Sequence, residues 1–262
     1  MRDRLPLSEA TAPILAVRQL SRLYGGVAAV SSVDLSIAQG DLLGIIGPNG
    51  AGKTTLFNLM TGFERPTTGE VFFRGTKVDG LRPHRIARMG LSRTFQNLRL
   101  APGLNVFDNV SAGAIGRVGF PPWLAFVPGP RAREIADRTW RALDRAGLAG
   151  DADRPAGSLS YGKRKYLEIA RALASEPLLL ILDEPAAGLN ETETAGLATF
   201  IRSLHEEGMT VLLVEHDIDL VMSTCTRVAV LAAGRKIAEG TPDAVRADRT
   251  VQEAYLGTEL DG

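Results

Sequence analysis

Gly47-Pro48-Asn49-Gly50-Ala51-Gly52-Lys53-Thr54-Thr55 decides how this chain is read. Its spacing is Gly, four residues, Gly-Lys and a hydroxyl residue, the pattern of a loop that wraps a polyphosphate. Leu42-Leu43-Gly44-Ile45-Ile46 before it is short and apolar, as a buried strand is, and Leu56-Phe57-Asn58-Leu59-Met60 after it opens a helix. Strand, loop and helix are the context the motif requires. The glycines let backbone N–H groups turn toward phosphate oxygens, and the helix N-terminus adds free donors and a positive dipole end. Lys53 is expected to reach the β and γ phosphates of a nucleotide, and the Thr54 hydroxyl to ligate Mg²⁺.

A second stretch supplies the chemistry that such a loop lacks. Leu178-Leu179-Leu180-Ile181-Leu182-Asp183-Glu184 is an apolar strand ending in two carboxylates. After a phosphate-binding loop this has the form of a Walker B segment. Asp183 at the strand end can hold Mg²⁺, directly or through water. Glu184, one step further, can act as general base on the attacking water. Leu159-Ser160-Tyr161-Gly162-Lys163 precedes a strong helical pattern, with Ser160 a good N-cap that leaves N–H groups free at the helix start.

Around these motifs the chain alternates strand and helix. Residues 14–20, 33–37 and 71–73 read as strands, the second alternating apolar and polar as a half-exposed strand does. Runs 178–182, 211–214 and 228–231 are continuously apolar, as in strands buried on both faces. Helical patterns at 161–174, 191–206 and 218–222 separate them, which implies a parallel sheet with helices on both faces. From about 97 to 158 no strand pattern occurs; 105–115 and 131–146 read as helices, the second with Ile135, Thr139, Leu143 and Ala146 along one stripe. The expected organisation is one domain over 13–250, its core formed by 13–97 and 159–245 around a helical insertion at 98–158, with tails at 1–12 and 251–262. Residues 119–128 place Phe120, Trp123 and Phe126 in a proline-rich stretch unsuited to regular helix. That stretch reads as a loop folded on its own subdomain or as a contact with another protein.

Composition narrows the partners. Thirty basic residues balance thirty acidic ones, so no charge excess points to nucleic acid or anionic lipid. The lone Cys225 permits no internal disulfide and reads as inert filler suited to a reducing compartment. No apolar run is long enough to span a bilayer, and the N-terminus has no signal-peptide character. The chain is therefore expected to be soluble and to meet a membrane process only through a partner.

The order of these motifs resembles that of ABC-type ATPases. The Leu-Ser-x-Gly element is similar to that family's signature motif, which contacts the γ-phosphate held by the opposite subunit, giving Ser160 and Gly162 that role. The resemblance assigns Gln96, in Arg93-Thr94-Phe95-Gln96-Asn97, to the loop that senses Mg²⁺. It assigns His216, in Val214-Glu215-His216-Asp217, to the switch near the γ-phosphate, and Tyr24 to stacking on adenine. It implies an α/β P-loop NTPase core with a parallel sheet, an antiparallel β subdomain and an inserted helical subdomain.

A narrower resemblance, to the Liv-type subfamily, covers nearly the whole chain. It rests on Thr94-Phe95-Gln96-Asn97, Leu159-Ser160-Tyr161-Gly162, Leu167-Glu168-Ile169-Ala170-Arg171-Ala172, Asp183-Glu184-Pro185-Ala186-Ala187-Gly188-Leu189-Asn190, Val214-Glu215-His216-Asp217 and Glu253-Ala254-Tyr255-Leu256-Gly257. It implies an ATP-hydrolysing subunit of a bacterial importer for branched-chain amino acids or related solutes, at the cytoplasmic face of the membrane. It also implies ATP and Mg²⁺ as ligands, a second ATPase chain, two membrane permeases and an external solute-binding protein. The alternatives are the ATPase of a lipid exporter, or a non-transport relative acting on nucleic acid or ribosomes; the latter usually carries two cassettes or a long coiled coil, and this chain has neither. Three residues depart from the general ABC pattern. Tyr161 stands where many members have Gly, Lys163 where many have Gln, and Asn190 where Asp is usual. Tyr161 and Asn190 read as subfamily marks, and Lys163 as either a solvated helix residue or a charge near the partner's phosphate.

Overall fold

The computed structural model describes residues 12–94, 99–118 and 129–259. Gln96 and the aromatic stretch 119–128 lie outside the described residues, as does most of the segment 1–12.

Two sheets carry the chain. The first is antiparallel, in the order β2 (Val27–Ile37), β1 (Leu15–Tyr24), β4 (Thr68–Phe73), β5 (Thr76–Lys77). The second has the order β10 (Arg235–Gly240), β9 (Arg227–Ala232), β3 (Leu42–Ile46), β8 (Thr210–Val214), β7 (Leu179–Asp183), β6 (Leu91–Arg93). Its strands β6, β7, β8, β3 and β9 are parallel, and β10 adds an antiparallel edge.

The continuous apolar runs follow from the packing of the second sheet. Side chains alternate between its faces. Leu42, Leu180, Leu182, Val211, Leu213, Val228 and Val230 face one buried cluster; Leu43, Ile45, Leu179, Ile181, Leu212, Ala229 and Leu231 face another. With both faces covered, the interior positions of β3, β7, β8 and β9 carry no polar side chain; Asp183, Thr210 and Arg227 stand at strand ends. The first cluster is closed by α5 (Tyr161–Leu173), α6 (Glu191–Glu206) and α7 (Ile218–Thr224), together with the more remote helices α3 (Val106–Val118) and α4 (Pro130–Arg145). The second is closed by α1 (Lys53–Met60), by Ile86 of α2 (Pro83–Met89) and by the antiparallel sheet. Helices therefore cover one face, and the other is shared between helices and the antiparallel sheet.

Between residues 99 and 158 the described chain is helical. On α4 the buried residues are Ile135, Thr139, Ala142 and Leu143, and Ala146 is buried at its C-cap, so the expected stripe of Ile135, Thr139, Leu143 and Ala146 faces inward and Ala142 widens it. Helix α3 crosses α5 so closely that a Cβ on Gly113 would lie 1.9 Å from the Arg171 carbonyl oxygen. After β10 come α8 (Pro242–Ala247) and α9 (Arg249–Glu259); Val251 of α9 is buried in the first cluster.

Candidate active site

The phosphate-binding loop leaves the C-terminal end of β3 and enters α1, the position at which parallel sheets bind ligands. Two of its glycines are required by close backbone approach. Gly47 has φ +157°, and a Cβ there would lie 2.1 Å from the Leu231 carbonyl oxygen; at Gly52, φ +96°, it would lie 2.2 Å from that of Ala29. The loop is thus wedged between β2 and the β9–β10 turn, where Gly234 N–H also donates to the Ala51 carbonyl at 3.0 Å. Lys53 closes it from inside, donating to the carbonyls of Gly47 (2.6 Å) and Pro48 (3.1 Å). Burial lowers the pKa of the Lys53 ammonium, an effect that Glu184 opposes.

An open cleft of about 410 Å³ lies over this loop. Asn49, Gly50, Ala51, Gly52, Lys53, Thr54 and Thr55 form its floor, Ala29 one side, and Glu184 and His216 the other. The two acidic strand-end residues are separated by environment. Asp183 ends β7, buried, with Arg93 Nη2 at 3.0 Å from its Oδ2. Burial raises its pKa, and Arg93 pulls it back. Glu184 follows with a left-handed backbone, φ +47°, unusual for a non-glycine residue and characteristic of functional positions. Its carboxylate Oε1 stands 2.5 Å from His216 Nε2, past the adjacent end of β8.

Ser160 caps α5, accepting from Lys163 N–H at 3.3 Å, and is exposed. Gly162 is buried against Glu193, where a Cβ would meet Oε1 at 2.5 Å. Neither lines the cleft of its own chain. Tyr24 does not line it either; its hydroxyl bonds Glu64, and the Arg22 guanidinium sits 4.6 Å from its ring centre. Lys163 pairs with Asp151 at 2.6 Å, on the helical side of α5. Asn190 forms a capping box with Glu193 at the start of α6, work that Asp performs as well.

Three charged residues that hold the site together, half-buried Arg93 and buried Glu215 and Lys165, were not singled out in the sequence. Arg93 bonds Asn58 and Thr61 of the α1 end as well as Asp183, and its guanidinium lies 4.1 Å from the Phe57 ring centre. Glu215 accepts from the N–H groups of Ala186 (2.7 Å) and His216 (3.2 Å), and burial raises its pKa. Lys165 places its ammonium 3.4 Å from the Glu184 carbonyl. The signal for each was a charged residue at a position where the helix stripe or strand end turns inward.

A family model described as ABC transporter matches residues 30–187, and one described as branched-chain amino acid ATP-binding cassette transporter matches residues 235–261. The chain is 41% identical over 250 residues to the high-affinity branched-chain amino acid transport ATP-binding protein LivG of Escherichia coli K12, covering 94% of this chain and 98% of the relative. It superposes on the ADP conformation of MJ1267, an ATP-binding cassette of an ABC transporter, with TM-score 0.83 and 31% identity over 94% of this chain and 100% of the other. It also superposes on the dimeric structure of MJ0796, a bacterial ABC transporter cassette, with TM-score 0.74 and 26% identity over 87% and 98%. The loop, the two strand-end acids and the histidine thus sit in a chain that belongs to the ATP-binding proteins of ABC transporters, in the LivG group, and it is an ABC ATPase.

Proposed function

We propose that this ATPase drives a bacterial importer of branched-chain amino acids or closely related small solutes. The observation that carries the reading is the cleft in which Lys53, Thr54, Glu184 and His216 converge, in a chain that resembles LivG along nearly its full length. Residues 13–250 act as one cassette, with 98–158 as its helical insertion. The chain works at the cytoplasmic face of the membrane, held there by two permease subunits and paired with a second ATPase chain. A solute-binding protein outside the membrane delivers the cargo. Nucleic acid is not a partner.

In each site the N–H groups of residues 49–55 and the Lys53 ammonium bind the phosphates of ATP, and Tyr24 stacks on the adenine. Thr54 and Asp183 offer hard oxygen donors, one hydroxyl and one carboxylate. That set suits Mg²⁺, which keeps waters and substrate phosphates in its shell; Gln96 joins them. Bound there, Mg²⁺ supplies charge neutralisation at the phosphate oxygens. Glu184 takes a proton from the attacking water as the new P–O bond forms and the β–γ bridge breaks, leaving ADP and phosphate. His216, hydrogen-bonded to Glu184, orients that carboxylate toward the γ-phosphate. Ser160 and Gly162 act on the nucleotide of the opposite chain, a role supported by their exclusion from the cleft of their own.

The test is uptake. Vesicles carrying the chain assembled with permease subunits, a companion ATPase and a solute-binding protein should accumulate labelled leucine, isoleucine or valine in an ATP-dependent manner, and Glu184→Gln should stop it. ATP-dependent accumulation of none of these, or retention of nucleic acid on filters at moderate salt, would overturn the reading.

A further inference from the structure

The loop from Glu184 to Gly188 is gripped from two directions. On one side Glu215, at the end of β8, accepts the Ala186 N–H at 2.7 Å. On the other side stands α5. The Tyr161 hydroxyl donates to the Ala187 carbonyl at 3.1 Å. The Tyr161 ring lies where a Cβ on Gly188 would come within 3.0 Å of it, and Gly188 has φ +80°, so only glycine leaves the ring its seat. One turn further along α5, buried Lys165 directs its ammonium to the Glu184 carbonyl at 3.4 Å and sits 5.7 Å from the Tyr161 ring centre. The loop closes on itself through Ala187 N–H to Glu184 O and Leu189 N–H to Ala186 O.

We infer that Tyr161 and Lys165 are positioning residues that lock the signature segment to the loop carrying Glu184, so that the two move as one body. The inference rests on the composite-site reading above. Ser160 and Gly162 flank Tyr161 on the same helix start and respond to the γ-phosphate held by the opposite chain. Glu184 acts on the chain's own nucleotide. A displacement of α5 on engaging the opposite nucleotide is therefore passed by the Tyr161 hydroxyl to Ala187 and by the Lys165 ammonium directly to the Glu184 peptide. Each chain's readiness to hydrolyse then depends on occupancy of the other site, which is a coupling free energy between two sites with an identified physical carrier. It also gives Tyr161 a function that the Gly more common at this position cannot perform, since Gly carries neither ring nor hydroxyl.

Two measurements test this. In the isolated full chain, Tyr161→Phe removes one donor and nothing else. Amide exchange at Ala187 and Leu189 should quicken by about fivefold, the effect of one neutral hydrogen bond, with the P-loop amides and the thermal midpoint unmoved. Unchanged exchange at those two amides overturns the clasp. In the assembled transporter, Tyr161→Phe and Lys165→Met should each lower kcat with KM for ATP preserved, and Lys165→Arg, which keeps charge and donor, should restore kcat. Faster loop exchange with unaltered kcat overturns the coupling. Ser160→Arg is the reference in the same assembly. If it also leaves turnover untouched, the composite-site reading has failed. If it impairs turnover while Tyr161→Phe does not, the failure belongs to the clasp alone.

Discussion

Glu184 Oε1 stands 2.5 Å from His216 Nε2, and the two side chains meet because β7 and β8 run parallel in register, with Asp183 opposite Val214. Glu184→Gln keeps the size of the side chain and a contact with the histidine but removes the proton acceptor. ATP affinity should stay near that of the wild type, and turnover in the assembled transporter should fall by about 10²–10⁴-fold. Nucleotide titration beside steady-state phosphate release measures both. Comparable turnover in the two proteins would remove Glu184 from the role of base.

The P-loop glycines should not tolerate alanine equally. Gly47→Ala and Gly52→Ala drive a methyl into a carbonyl oxygen at 2.1 and 2.2 Å, and that backbone belongs to strands β9 and β2. Gly50 has φ +76° with nothing within 4 Å of a Cβ, so Gly50→Ala costs only its left-handed conformation, about 1–2 kcal/mol. Thermal melts should rank Gly47→Ala and Gly52→Ala well below Gly50→Ala, and the same two should lose ATP affinity. Equal melts for all three would contradict the wedged loop.

The parts of the molecule legible in the sequence are those whose pattern is local. The β3–P-loop–α1 unit, the Asp183-Glu184 strand end and the α4 stripe each carry their signal within about ten residues. Strand β6 was not legible, because three residues cannot show a period and only pairing with β7 makes Leu91–Arg93 a strand. Strand β10 was hidden for another reason: it is a half-exposed edge, and its Arg-Lys-Ile-Ala-Glu-Gly sequence lacks an apolar run. The roles of Arg93, Glu215 and Lys165 depend on contacts with residues 90, 29 and 19 positions away, which no local pattern encodes.

Cys225 should be inert while the chain is folded. It is buried under β3, its sulfur 3.0 Å from where a Cβ on Gly44 would stand, and burial pushes its thiol up to about 12. At pH 8 an ordinary thiol is roughly a quarter ionised, whereas this one is ionised on the order of one part in 10⁴. Maleimide labelling should be at least about 10³-fold slower than in the urea-unfolded chain. Rapid native labelling at pH 8 would contradict the burial. The same packing makes Gly44→Ala destabilising, by about 1–3 kcal/mol, since its methyl would lie 2.4 Å from Val221 Cγ1.

Arg93 and Asp183 form the most buried ion pair joining the site to its scaffold, with side chains 10% and 6% exposed. The planar guanidinium serves several partners at once: Asp183 at 3.0 Å, Asn58 at 2.8 Å, Thr61 at 3.2 Å and the Phe57 ring face at 4.1 Å. Arg93→Met leaves the Asp183 carboxylate buried without its countercharge, which typically costs about 3–5 kcal/mol. Lysine carries the charge but not the fork or the stacking plane, so Arg93→Lys should recover only part of the loss. The pH dependence follows from the direction of the Asp183 shift. Burial already raises its pKa, so its charged form opposes folding above the ordinary Asp range, and removing Arg93 raises that pKa further. The deficit of Arg93→Met should therefore be largest near neutral pH and shrink as pH falls and Asp183 takes up its proton. Adding Asp183→Asn to Arg93→Met removes the orphaned charge and should return part of the stability. Urea midpoints of the four proteins at pH 7 and pH 5 decide the matter; a deficit that does not vary with pH, together with no recovery in the double variant, would mean that Arg93 stabilises the fold through its stacking and its α1 contacts and not through Asp183.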